Sequence, residues 1–265
     1  MNPALRAALS PLPVAVSQSQ LLVSRNLGQG NAHGSQNVPV PRDPTELAIT
    51  MQPAGPCPHG GTTVFIVLDE SASVTAGGGN DPLSRRHAET ALAIRHVASA
   101  CRCRKDRVAL VPFDRGSAGY VAPQPLTVQG VRRLTRGLER LSGGWGLSSE
   151  LDPPLSDVEN QVGQVRGAVA VVVFSDFLLT DTNPSAVVSR LRSFPGYVHA
   201  VVLGALPPAV LVTDPTVAVS RLTPSSKPGS AARAVFDGLN HYRRHGPPTA
   251  GSAAHHTVNK KEHTP

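Results

Sequence analysis

Two runs of apolar, largely β-branched residues constrain this chain more than any other feature. Thr62–Leu68 reads TTVFIVL and Ala168–Phe174 reads AVAVVVF. Neither alternates with polar residues, so neither suits a sheet with one wet face. Both suit central strands covered on two sides. The first run leads into Asp69 and the second into Ser175-Asp176. Arg107–Phe113, Tyr197–Leu203 and the shorter Thr216–Val219 predict further strands, with another short one near Gly119–Ala122. Pro112, inside Arg107–Phe113, predicts a strand end or a sheet edge there.

Helical periods separate these strands. Ala88, Ala91, Ile94, Val97 and Ala98 follow Ser84. Val128, Val131, Leu134, Leu138 and Leu141 follow Thr127, a capping residue. Leu155, Val158, Val162 and Val165 repeat the pattern. Asn183-Pro184 predicts another helix start, and Ser230 the cap of a last helix that stops at Gly246-Pro247. Strands alternating with helices, over connections too long for hairpins, predict an α/β fold. It is a doubly wound, mostly parallel central sheet with helices on both faces. Ligands bind such sheets beyond the carboxyl ends of the strands, and both of the strongest strands end there in an aspartate.

The 25 prolines and 24 glycines of the 265 residues gather towards the two ends. The expected organisation is a flexible leader over 1–61, one domain over 62–245 and a disordered basic tail over 246–265. The net charge of +7 is equally uneven: residues 62–220 hold fifteen basic residues against fourteen acids, and 221–265 hold seven against two. Arg243, Arg244, Lys260 and Lys261 therefore read as a solvated basic end. A folded domain without a basic stripe predicts no specific nucleic-acid partner. No run approaches the roughly 18 apolar residues of a membrane span. The patch Leu12–Val16, interrupted by Pro13, is too short for a secretory signal, which predicts a cytoplasmic protein. Three cysteines, an odd number, fit a reducing compartment.

The chemistry concentrates in Asp69-Glu70-Ser71-Ala72-Ser73. A hard divalent cation takes oxygen ligands in near-octahedral geometry and keeps some water. A turn leaving a strand can aim one carboxylate and two alternate hydroxyls at a single point. Hydroxyls bring no charge, so such a site stays under-neutralised and attracts a carboxylate from outside.

This D-x-S-x-S after a buried strand resembles the metal-ion-dependent adhesion site of von Willebrand factor A domains. The order of elements is similar to that family from Thr62 to Tyr242. The resemblance implies a Mg2+ ion, with Mn2+ or Ca2+ as alternatives, held by Asp69, Ser71, Ser73 and Asp176. It also implies a threonine from an intermediate loop. Here that loop reads Gly143-Gly144-Trp145-Gly146-Leu147-Ser148-Ser149, with Trp145 in the threonine's place. Ser148 or Ser149 substitutes if the loop shifts; otherwise water fills the position. Trp145 packs over the loop or, if exposed, anchors a partner. The implied function is a non-enzymatic module that captures an acidic residue of a protein partner through the ion.

Two enzymatic readings compete. A Mg2+-dependent phosphatase or phosphotransferase of the haloacid dehalogenase kind also ends its first strand in an aspartate. It needs a second aspartate two residues on, where this chain has Ser71, and a lysine near Asp176, where there is none. A serine hydrolase would show G-x-S-x-G at a strand end, and none occurs. Separately, Cys57-Pro58-His59 precedes the first strand and Cys101-Arg102-Cys103 follows the first long helix. In a parallel α/β fold all four side chains fall at the end opposite Asp69. Cys57, His59, Cys101 and Cys103 are a plausible zinc set. Their tight spacings, C-x-H and C-x-C, fit fortuitous thiols better.

Overall fold

The computed structural model describes residues 51–246 apart from 77, 82–84, 102, 143–145 and 224. Six strands form one sheet: β1 (Thr62–Leu68), β2 (Arg107–Pro112), β3 (Val121–Pro125), β4 (Ala168–Ser175), β5 (Tyr197–Leu203) and β6 (Val217–Leu222). Their order is β3-β2-β1-β4-β5-β6. All neighbours run parallel except β3, which pairs antiparallel with β2. The helices are α1 (Ala72–Thr75), α2 (Arg86–Ala100), α3 (Val128–Leu141), α4 (Asp152–Val162), α5 (Pro184–Arg192), α6 (Ala209–Val212) and α7 (Ser230–His245).

The unbroken apolar runs lie where two covered faces require them. Every residue of β1 and β4 is buried. Val64, Ile66 and Leu68 face a core built with α2, α3 and α7. Phe65 and Val67 face a second core built with α4, α5 and Leu211 of α6. Strand alternation thus feeds two cores at once, giving three layers.

Thr127 and Asn183 cap their helices by accepting the N–H of Gly130 and Ala186. Pro112 ends β2, a strand with a neighbour on each side, so the strand-end reading holds and the edge reading does not. β3 begins at Val121, and β6 runs three residues beyond the expected stretch. Ser84, the expected start of α2, lies outside the described residues.

The start of α7 differs from expectation. Ser230 is its first residue, and its hydroxyl bonds Lys227 O. The Glu89 carboxylate on α2 accepts instead from the N–H groups of Gly229, Ala231 and Ala232. A buried carboxylate at a helix N-terminus satisfies free donors and meets the positive end of the dipole. Gly229, at φ 89°, takes the left-handed turn that brings the chain there.

Residues 51–61 pack on the domain. Met51, Ala54 and Cys57 lie against the α2/α3/α7 core, and Gly55 N–H donates to Asn240 Oδ1. Among the described residues no helix is long and apolar enough to cross a membrane.

Candidate metal centre

Parallel register builds the site. Leu68 stands opposite Phe174 on the adjacent strand, so the two chains leave the sheet side by side, delivering Asp69 and Asp176 to one rim. The N–H of Ser71 donates to Asp69 Oδ1 at 2.9 Å, closing the turn after β1. That turn sets the Ser71 and Ser73 hydroxyl oxygens 3.0 Å apart. Ser175 donates its hydroxyl to Asp69 Oδ2 at 2.6 Å. Asp176 accepts from Leu178 N–H at 3.0 Å and from Asn80 Nδ2 at 3.1 Å. Asp69, Ser71 and Asp176 are buried and Ser73 is partly exposed, so the approach is from the Ser73 side.

Beneath the turn lies a buried ionic group. Arg86 bonds the carbonyl of Asp69, the Glu70 carboxylate at 2.8 Å and the Asp81 carboxylate. His87 Nε2 stands 2.8 Å from the other Glu70 oxygen. These contacts fix the backbone of the turn and leave the Asp69 carboxylate itself facing the hydroxyls.

The intermediate loop is pinned beside the turn. Gly146 N–H donates to Glu70 O at 2.7 Å, and a Cβ at position 146 would come within 2.7 Å of that carbonyl. Asp114 accepts from the N–H groups of Leu147 and Ser148. The Ser148 hydroxyl accepts from Glu150 N–H, and the Ser149 carbonyl from Thr180 N–H. Neither serine hydroxyl is hydrogen-bonded to Asp69, Ser71, Ser73 or Asp176. Trp145 lies outside the described residues.

Ser175 and Asn80 went unassigned in the sequence. Ser175 carried a signal, a hydroxyl at the end of a buried strand next to the candidate aspartate. Asn80 carried none beyond its glycine-rich loop.

The donor set fits a hard cation. Two carboxylates and two hydroxyls stand on one rim, and neither carboxylate is hydrogen-bonded or ion-paired to a basic side chain among the described residues. Burial pushes the Asp69 carboxyl above its usual range; the hydrogen bonds from Ser175 and Ser71 oppose this, and the charge of Asp176 adds to it. Adjacent buried carboxylates without a counter-charge are costly unless a proton or a cation joins them.

The thiols lie at the other end of the sheet. Cys57, Cys101 and Cys103 come together there with Asp106, while the expected His59 ring is not part of the cluster.

Several solved structures are similar. The pilus adhesin SpaC of Lactobacillus rhamnosus GG matches 70% of this chain and 30% of its own, at 11% identity and a TM-score of 0.50. A von Willebrand factor type A structure from Catenulispora acidiphila matches 68% of this chain and 43% of its own, at 11% identity and 0.46. The manganese-loaded TRAP protein of Plasmodium vivax matches 68% of this chain and 74% of its own, at 11% identity and 0.45. The fold is a von Willebrand factor A-like, Rossmann-like three-layer sandwich. At such identity the likeness concerns the fold alone, and the chain spans less than half the length of the first two structures. No family model and no curated protein matches the sequence.

Proposed function

We propose that this von Willebrand factor A-like domain is a metal-dependent protein-binding module, without catalysis, that captures an acidic residue of its partner at Asp69, Ser71, Ser73 and Asp176. One observation carries the reading: two buried carboxylates share a rim with two paired hydroxyls and, among the described residues, have no basic side chain of their own. Mg2+ is the cation proposed, with Mn2+ or Ca2+ as alternatives; once bound, it supplies a Lewis-acidic position open to one further carboxylate.

The protein's own groups prepare that position. Ser175 and the Ser71 N–H hold Asp69 in one orientation, and Asn80 and the Leu178 N–H do the same for Asp176. Held ligands lose less freedom on binding. Two large apolar side chains stand exposed in the neighbouring loops, Leu147 at 95% and Leu178 at 55%, and offer a partner contact area around the recessed oxygens. The phosphatase alternative finds less support. Ser71 cannot serve as a carboxylic acid/base, and the two lysines among the described residues, Lys105 and Lys227, bond neither aspartate.

Manganese titration followed by electron paramagnetic resonance tests the ion, and a pull-down in Mg2+ against chelator tests the partner. The Ser71→Ala, Ser73→Ala double variant should lose both while keeping its circular dichroism spectrum. Unchanged manganese binding in that variant would overturn the reading.

A further inference from the structure

The amino ends of β1 and β2 carry a second cluster of metal-ligating groups, which the carboxylate site does not use. Cys57 Sγ lies 3.8 Å from Cys101 Sγ, and Cys101 Sγ lies 3.6 Å from Cys103 Sγ. Asp106 Oδ2 is 3.8 Å from Cys101 Sγ. One ligand atom from each of the four residues falls within 4.8 Å of the others. We propose that Cys57, Cys101 and Cys103, with the Asp106 carboxylate as fourth ligand, form a closed tetrahedral site for a thiophilic divalent cation of the zinc class.

Geometry supports this first. A tetrahedral ion holding two sulfurs at about 2.3 Å sets them about 3.8 Å apart, and a sulfur and a carboxylate oxygen about 3.6 Å apart. The three shortest separations, 3.8, 3.6 and 3.8 Å, lie close to those edges. Three separate segments supply them: the stretch before β1, the end of α2, and the turn into β2. The cluster therefore does not follow from one local turn.

The surroundings support it second. Thr62 N–H donates to Asp106 Oδ1 at 2.9 Å, which fixes the carboxylate plane. Arg243, whose side chain is fully buried, bonds Oδ2 through Nε at 3.1 Å and also through Nη2. Three thiolates and a carboxylate outweigh a dication, and the guanidinium offsets part of the excess. Such outer contacts orient ligands at metal sites. The backbone N–H of Lys105 reaches Cys103 Sγ at 3.4 Å, from a turn in which Arg104 takes the left-handed conformation at φ 56°.

A reactive thiol fits the cluster less well. Cys101, the central sulfur, is buried and sits between the other two thiols, where reagents reach it poorly. His59, the histidine of the C-x-H pair, offers its carbonyl to Lys105 Nζ. With four protein ligands the site has no open position, which marks a structural ion. Its physical effect is to fasten residues 51–61 to the ends of α2 and α7.

Cobalt titration of the full-length, reduced, metal-free protein tests the proposal. One equivalent of Co2+ should produce sulfur-to-cobalt charge-transfer bands and the visible bands of a tetrahedral ion, both bleached by one equivalent of Zn2+. Excess Mg2+ should leave them intact, as should the Ser71→Ala, Ser73→Ala variant, which separates this site from the carboxylate rim. Cys103→Ser, at a half-buried position, should keep the fold and lose most of the charge-transfer intensity. Three reduced thiols without cobalt bands overturn the proposal, as does a disulfide between two of these cysteines in the protein as isolated. Loss of the bands in His59→Ala overturns the choice of Asp106 as fourth ligand.

Discussion

The two rims of the sheet treat buried negative charge in opposite ways. At the carboxyl ends of the strands, Asp69 and Asp176 are held by neutral donors, namely hydroxyls, backbone N–H groups and an amide. At the amino ends, Asp106 faces a fully buried arginine. The first rim gathers hard oxygens and leaves their charge open. The second gathers soft sulfurs around a carboxylate already partnered. The counter-charge distinguishes the two rims, and the sites proposed on them would differ accordingly, an exchangeable kind above and a fastening kind below.

The sharpest way to break this comparison is to remove the lower counter-charge. Arg243→Met strands the Asp106 carboxylate in the interior and should cost about 3–5 kcal/mol in urea denaturation. Adding Asp106→Asn to that variant should recover part of the loss. Among the described residues no single substitution of a basic side chain can do the same to Asp69 or Asp176, because neither is paired with one there.

The upper rim should respond in binding. Ser71→Ala with Ser73→Ala removes two of the proposed ligands and should weaken manganese affinity by more than about 100-fold, since even groups that only orient a ligand are worth about 10–100-fold. Ser175→Ala, which frees one Asp69 oxygen, should fall within that smaller range. Both are read from the manganese titration, and neither should alter cobalt binding below.

How much of this was readable beforehand follows from the range of each interaction. β1 and β4 declare themselves because burial on both faces erases polar alternation in Thr62–Leu68 and Ala168–Phe174. Asp69, Ser71 and Ser73 are legible because the turn that joins them spans five residues. The Ser175 hydrogen bond depends on the parallel register between two strands more than a hundred residues apart in sequence. Asn80 reaches Asp176 only because its N–H is tied to the Ser73 carbonyl. Asp106 looked like any acid before a strand; its meaning comes from Arg243, 137 residues later. Glu89 capping α7 is the same kind of case, and Ser230 was the misleading local choice.

Between the rims, β5 buries His199, whose Nε2 lies 2.9 Å from Ser220 Oγ while Nδ1 has no hydrogen-bond partner. Burial lowers this imidazole to about 4. The unfolded chain binds the proton near 6.5, so the folded state binds fewer protons between those values. Stability is then fully present above about 6.5 and is lost as pH falls towards 4. The expected loss between pH 7 and pH 5 is about 2 kcal/mol from this group. His199→Gln should flatten that slope in thermal melts. The background belongs to the core, and it must be subtracted before the pH response of either rim is read.

The smallest expected effect bears most directly on the upper rim. The Asp69 carboxyl is raised above its ordinary value, chiefly by burial. The folded, metal-free protein therefore binds that proton more readily than the unfolded chain, and its stability falls as pH rises from 3.8 through the raised value. The charged form carries that penalty. Asp69→Asn removes it while keeping the geometry, since the amide oxygen still accepts from Ser71 N–H and the amide nitrogen donates to Ser175 Oγ. In chelator the variant should melt higher than wild type. Magnesium should reverse the order, stabilising wild type and leaving Asp69→Asn unmoved. A carboxylate whose replacement helps without the ion and harms with it is held for the ion. If Asp69→Asn melts lower in chelator, Asp69 instead serves the fold as Asp106 does, and the contrast between the rims disappears.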